Sequence, residues 1–369
     1  MKLQNAFPNL HGRHVVCFTR YEAVGPSSRL RFHQFQRPLE QAGCRVSFYP
    51  LLSERYLERF YGGKKKDKFD IAFSYVRRLA QLATLRADLV WVEKELFPFL
   101  PGMFERMLRS RAVPYVVDFD DAIFHNYDLR KKGFVRSLLE SKLDPLLSGC
   151  AMVTAGNSYL ADYAQSHGAP SVAIIPTVVD TRRYPARPPI DRGRIRVGWI
   201  GTRTNERYLA PVIRALTRLS ESLPLTLVTV GASRLSGLAV PQEQHEWTED
   251  TEGELVASFD IGVMPLADTP WERGKCGYKL IQYMAAARPV IASSVGVNSE
   301  IVTPDVGRLV HGEADWERAI HELGTSRELM TRLGANGRRR VEEYYSLDAA
   351  APQLLNLFDK VLAAPVWHG

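Results

Sequence analysis

The chain has 369 residues, 45% hydrophobic and 24% charged, with a formal net charge of +7. That length suits two domains of roughly 100 to 200 residues, and the composition excludes a disordered, collagenous or fibrous chain. No apolar run reaches the roughly 18 to 20 residues that a bilayer crossing requires, and MKLQNAFPNLHGRH lacks the apolar block of a signal peptide, so a cytoplasmic address is expected.

Cys17, Cys44, Cys150 and Cys276 are widely separated with no CxxC, which argues against a zinc ribbon or a disulfide framework. The basic balance suits nucleic acid, an anionic membrane or a phosphorylated substrate. No helix-turn-helix, RRM, KH or zinc-finger spacing is present, so nucleic acid is not expected.

HVVCFT opens the chain as a strand, a helix is predicted from about Ser27 to Ala42, and RVSFY, DLVWVE, VPYVVDF, AMVTA and VAIIP follow as short strands between helical patterns. This alternation predicts a parallel, doubly wound sheet over residues 1–180. GPSSRLR, Gly25 to Arg31, joins the first strand to the first helix, and Ser27 or Ser28 is expected to cap that helix. The basic segments KKKDK, Lys64 to Lys68, and RKKGFVR, Arg130 to Arg136, alternate with Phe60, Tyr61, Phe69, Phe134 and Val135, a mixture suited to an anionic membrane surface or to a solvated face.

DFDD, Asp118 to Asp121, ends a buried strand, where carboxylates meet the ligand-facing edge of a sheet. Three readings stand: a DxD motif in which Asp118 and Asp120 hold Mg²⁺ or Mn²⁺, a pair that approaches a substrate directly, and a helix cap with salt bridges. GNSYLADYA, Gly156 to Ala164, is a strand-end turn with Asn157 or Ser158 as cap. His125, His245 and His311 fall in no HExxH or paired-ligand spacing, and no GxSxG elbow occurs.

The proline- and arginine-rich segment 181–193 reads as a linker, after which the pattern restarts over 194–346. RIRVGWIG is a strand entering a glycine turn at Gly201, with Arg203 and Arg207 close behind. A helix from about Glu206 to Ser222 leads to PLTLVTVG, FDIGVMP and PVIAS. Two Rossmann-like halves of this kind are expected to place ligands in a cleft between the carboxyl ends of their sheets. The final helix is predicted over 347–363.

Trp271 to Glu300, WERGKCGYKLIQYMAAARPVIASSVGVNSE, is the most informative stretch. Gly274 and Gly277 permit close backbone approach, a helix opening near Gly277 offers free N–H groups, and Lys275 and Lys279 add charge: a phosphate cradle. With the helix running to about Ala286, Leu280, Ile281 and Met284 share the packing face, and Lys279 and Gln282 are expected on the opposite, ligand-facing side.

KLIQYMAAARPVIAS resembles the donor-binding signature of glycosyltransferase family 4, enzymes of the GT-B fold. That family usually carries two glutamates eight positions apart, which fall here on Gly274 and Gln282. Both carboxylates are absent, and Glu272 is the nearest replacement. The resemblance implies a retaining, metal-independent transfer from a nucleotide-diphosphate sugar, with no further cofactor, to a glycan or lipid-linked hydroxyl acceptor. The donor set it implies is Gly201, Arg203, Glu272, Lys275, Gly277, Lys279 and Gln282. Acceptor residues would be Gly25, Ser27, Arg29 and Asp118, with Asp120, Asp121, Lys279 and Arg203 in the catalytic step. It also implies that the last helix crosses back over the first half.

The DxD reading belongs instead to GT-A enzymes, whose single nucleotide-binding domain does not match two repeated halves. Rival functions are a GT-B nucleotide-sugar epimerase and a non-catalytic sugar-nucleotide-binding subunit. An NAD-dependent oxidoreductase ranks last, because no GxGxxG follows the first strand. The address expected is cytoplasmic, with peripheral contact at the inner face of the cell membrane if the basic segments meet anionic lipid rather than form a solvated face.

Overall fold

The computed structural model describes residues 6–61, 67–129 and 133–364. The basic stretches 64–66 and 130–132 lie outside them. The chain divides into two compact units, Met1–Thr177 with Ala350–Gly369, and Val178–Ala349.

In the first unit β1 (His14–Tyr21), β2 (Arg45–Leu52), β3 (Leu89–Glu93), β4 (Tyr115–Phe119), β5 (Met152–Ala155) and β6 (Val172–Ile174) form one parallel sheet in the order β2-β1-β3-β4-β5-β6. Every residue of β3, β4 and β5 is buried, as expected where helices cover both faces of a parallel sheet. Register sets Glu93 opposite Asp118, so two acidic side chains share the carboxyl edge.

The single helix expected from Ser27 to Ala42 is broken into Pro26–Arg31, a 3₁₀ turn His33–Phe35, and Gln36–Gln41. Phe32 leaves helical geometry at φ −126° and is fully buried, with its ring centroid 4.1 Å from that of Trp91. Tertiary packing of one aromatic outweighs the local helical pattern. Trp91 also meets Phe358 of the last helix, Leu347–Ala363, edge-on at 5.1 Å, and Asn9 donates to Asp359 of that helix.

In the second unit β7 (Ile195–Ile200), β8 (Leu225–Val230), β9 (Gln242–His245), β10 (Ile261–Met264), β11 (Val290–Ser293) and β12 (Gly307–Val310) form a second parallel sheet, ordered β12-β11-β10-β7-β8-β9. β9 and β12 are its two edges, and their sequences QEQH and GRLV lack the long apolar run that marks a central strand. A 3₁₀ turn, Arg203–Leu209, precedes the α-helix Ala210–Leu219, where Pro211 lies in the first turn. One apolar cluster includes Val212, Leu216, Ile320 and Leu323; the other includes Leu280, Ile281, Met284 and Val256.

Candidate active site

In the second unit the turn after β7 and the helix Tyr278–Ala285 meet through Gly201. A Cβ at Gly201 would stand 2.5 Å from Trp199 Cζ2 and 3.2 Å from Lys279 Cε, so only glycine lets the lysine stem lie across this turn. Lys279 is partly buried, with Nζ 6.0 Å from the centroid of Trp199. Burial, with Lys275 nearby, lowers its pKa to about 8. Among the described residues no carboxylate forms an ion pair with this ammonium.

Gly277 caps the helix at φ +65°, and a Cβ there would lie 2.3 Å from Ile301 Cδ1, so geometry and space both demand glycine. Lys275 is half-buried and Arg203 exposed. Glu272 is buried and engaged: the hydroxyls of Thr269 and Tyr208 donate to it, and Arg207 Nη2 lies 3.8 Å away. Burial alone would raise its pKa, but the Thr269 and Tyr208 hydrogen bonds outweigh that and lower it.

Gln282 is not on an open face. It is buried, and its Nε2 donates to Tyr184 Oη at 3.1 Å. Tyr184 in turn donates to Glu252, which also accepts from Trp247 Nε1 at 2.6 Å. The helix is buried continuously from Leu280 to Ala285, so Gln282 lies on the packed side, while Lys279 stands outside that buried run. Tyr184 and Glu252 are distant in sequence from Gln282, and no local pattern announces them.

The first unit gathers a second polar cluster at the carboxyl edge of β1, β3 and β4. Asp118 is buried and held at both oxygens by Arg31, with Nε at 2.9 Å from Oδ2 and Nη2 at 2.7 Å from Oδ1, and it also accepts from Thr154 Oγ1 at 2.6 Å. Its expected acceptor-binding role is corrected accordingly: its lone pairs are committed inside the unit. Asp120 takes Lys94 Nζ at 2.7 Å and Ser27 Oγ at 2.5 Å. Burial would raise its pKa, but Lys94 holds it below the usual carboxylate range.

Lys94 adopts φ +64°, a left-handed conformation unusual for a side chain of this size, with its N–H donating to Asp118 O at 2.9 Å. Burial disfavours its charge, yet Asp120 and Glu93 more than offset that and raise its pKa. Glu93 accepts from Ser28 Oγ at 2.6 Å and from Arg20 N at 2.8 Å, and burial pushes its carboxyl up. Sequence reasoning missed Arg31, Glu93 and Lys94. The Glu93-Lys94-Glu95 run, which starts at the last residue of DLVWVE, was the available signal, since it too follows a buried strand.

Neither Ser27 nor Ser28 caps the first helix. Gly25 is the N-cap with no side-chain bond, and both hydroxyls turn to carboxylates instead. A Cβ at Gly25 would meet Tyr21 Cβ at 2.4 Å, and Arg29 is buried. Asn157 caps its helix by accepting from Leu160 N at 3.0 Å. His125 bridges Asp128 and Tyr159. No group of three or more His, Cys, Asp or Glu suited to a metal ion occurs among the described residues.

Comparison with known proteins bears on both units. Residues 194–325 match the family model described as glycosyl transferases group 1. The MMP α-(1→4)-mannosyltransferase of Mycolicibacterium hassiacum is 28% identical over 228 residues, 57% of this chain and 53% of that protein. The chain thus spans about half the length of this curated relative. The sucrose-phosphate synthase structure from Thermosynechococcus elongatus superposes with a TM-score of 0.73 at 16% identity, covering 96% of this chain and 100% of that one. Anabaena HepE, solved in complex with UDP-glucose, gives 0.64 at 13% identity, covering 94% and 100%. Residues 194–325 thus resemble the glycosyl transferases group 1 family, and the chain that carries them has the fold of the GT-B glycosyltransferases.

Proposed function

We propose that this protein transfers a glycosyl group from a nucleotide-diphosphate sugar to a hydroxyl acceptor. The observation that carries the reading is Lys279, a partly buried ammonium without a carboxylate partner among the described residues, standing over Gly201 and Trp199 inside the matched segment. A diphosphate supplies the missing negative charge. Lys279, Arg203 and Lys275 then neutralise charge as it grows on the leaving group, where a preorganised cation is worth most. The mannosyltransferase relative and the UDP-glucose complex of HepE support this donor class.

In the reaction the bond from the anomeric carbon to the diphosphate breaks and the acceptor oxygen bonds to that carbon. A diphosphate oxygen takes the acceptor proton, with retention of configuration and with protein cations rather than a metal balancing the charge. Asp120, Asp121, Ser27, Gly25 and Arg29 form the acceptor-side set in the first unit, and Asp118 with Arg31 keeps that edge in shape. Gln282 acts at one remove, setting Tyr184. The acceptor is a growing glycan or a lipid-linked sugar, met at an anionic membrane during cell-surface glycan assembly.

A thermal-shift panel of nucleotide sugars, followed by product analysis with glycan acceptors, tests the proposal. Expected are a shift with one donor and acceptor-dependent release of its nucleoside diphosphate. Isomerised donor without acceptor would make the protein an epimerase. A shift without turnover on any acceptor would make it a binding subunit. No shift with any nucleotide sugar would remove the donor site.

A further inference from the structure

The helix Lys68–Ala83 in the first unit is built inside out. Its exposed positions are Lys68, Phe69, Ala72, Phe73, Val76, Ala80 and Ala83, and all after Lys68 are apolar. At 3.6 residues per turn these six fall within a stripe about 100° wide. Phe69 is 88% exposed, Phe73 65% and Val76 62%.

The polar residues face the protein instead. Arg78 is buried, lies over the Phe18 ring, and donates to the carbonyls of Thr19 and Tyr49 at 2.9 Å each. Ser74 is buried with it, Arg77 donates to the carbonyls of Pro50 and Leu51, and Tyr75 Oη donates to Pro98 O at 2.6 Å. The strand carbonyls of β1 and β2 consume the helix's hydrogen-bonding capacity and leave its apolar side outward. The loop tied down through Pro98 adds two more exposed apolar side chains, Phe99 at 48% and Met103 at 68%.

Exposed apolar residues scattered singly need no explanation, but a contiguous stripe with two phenylalanines marks a binding surface. Charge selects the partner. The sequence immediately before the stripe, Lys64 to Lys68, holds four lysines and one aspartate, and Arg86 is exposed just past its far end. Apolar residues on one side with lysines at the end is the composition of a helix that lies in the plane of an anionic bilayer, while a water-facing helix has polar residues on its outer side.

We infer that the helix Lys68–Ala83 is the surface by which this protein docks on an anionic lipid bilayer, with Phe69, Phe73 and Val76 entering the acyl boundary and Lys68 and Arg86 meeting the headgroups. The inference rests on the membrane location proposed above and names the element responsible for it. Because the phenylalanines are exposed, replacing them with serine leaves the packed side of the helix intact.

The test is flotation of the full chain with vesicles of phosphatidylglycerol and phosphatidylcholine, and with phosphatidylcholine alone, for wild type and for Phe69→Ser with Phe73→Ser. The expected result is recovery on the anionic vesicles only, reduced by salt, with partitioning lowered about tenfold for each phenylalanine removed. The thermal shift produced by UDP should be the same in both proteins. Equal flotation of wild type and the double variant on anionic vesicles would overturn this assignment while leaving the membrane location standing. No flotation of wild type would overturn both. Self-association in sedimentation velocity that the double variant abolishes would make the helix an interface between copies of this chain and would overturn the inference as well.

Discussion

Arg31 closes on Asp118 from within the first unit, its guanidinium meeting both carboxylate oxygens at 2.7 and 2.9 Å. Neither partner is accessible, so the pair acts on stability. Asp118→Asn leaves the guanidinium buried against a neutral amide, a loss of about 3–5 kcal/mol on removing one partner of a buried pair. Urea unfolding should show a lower midpoint for Asp118→Asn, and a midpoint equal to wild type would return Asp118 to the list of substrate contacts.

Asp120 and Asp121 stand differently, because Asp120 shares its charge with the strained Lys94 and with Ser27 at the sheet edge. Asp120→Asn is expected to lower turnover by about 10² or more with little change in the donor KM. Turnover should persist in excess EDTA. Complete loss in EDTA, restored by Mn²⁺, would mean that the carboxylates serve a metal.

The role proposed for Lys279 comes with a stability cost. Its folded pKa of about 8 lies below the usual lysine value, so the folded protein holds fewer protons than the unfolded chain between about pH 8 and 10, and this group's contribution to stability rises with pH across that window. The ammonium is half deprotonated at about pH 8 and fully charged only well below it, so kcat/KM for the donor should fall as pH rises through about 8. Lys279→Met should raise Tm and reduce kcat by about 10² to 10³, the usual effect of removing one charge-stabilising partner. Steady-state kinetics beside calorimetry decide the matter, and wild-type kinetics for this variant would mean that the lysine stem only packs.

Gln282 donates into a chain that ends on Glu252, so the substitution that restores the family's usual glutamate is expected to be harmful here. In Gln282→Glu a carboxylate faces Tyr184 Oη, whose proton is already committed to Glu252. A buried acceptor left unsatisfied costs about 1–3 kcal/mol, more for a charged one. A Tm for Gln282→Glu at or above wild type would show that the cluster rearranges freely.

Ala287 follows the same helix at φ +57°, a conformation that favours glycine. Ala287→Gly should stabilise the protein by about 0.5–1 kcal/mol, whereas Gly334→Ala, whose Cβ would stand 2.1 Å from Ala287 O, should destabilise it by more than 2 kcal/mol, on the order of other overpacked sites. Equilibrium unfolding of the two variants checks both signs.

Legibility followed locality. The central strands were readable because Leu89–Glu93 and Tyr115–Phe119 are continuous β-branched or aromatic runs, and Gly277 announced its turn through the helix it opens. What escaped was decided across the chain. Phe32 breaks a well-patterned helix to reach Trp91, and Arg31 meets Asp118 from 87 residues away. Gln282 is drawn inward by a tyrosine 98 residues earlier. The glycines and lysines of the candidate donor site were legible, and the structure brings Gly201 and Lys279 together, but the partners of Glu272, Asp118 and Gln282 were not legible, because a hydrogen bond between distant residues leaves no periodicity behind.

The second unit begins and ends at one spot. Val179 N donates to Tyr345 O at 3.0 Å and Leu347 N to Val179 O at 2.8 Å, so its entering and leaving strands of chain are laced together before either continues. A gene segment covering 178–349 therefore encodes a body whose two ends are already neighbours. That is the arrangement in which a module is lifted out, inserted elsewhere or circularly permuted without leaving a gap to bridge.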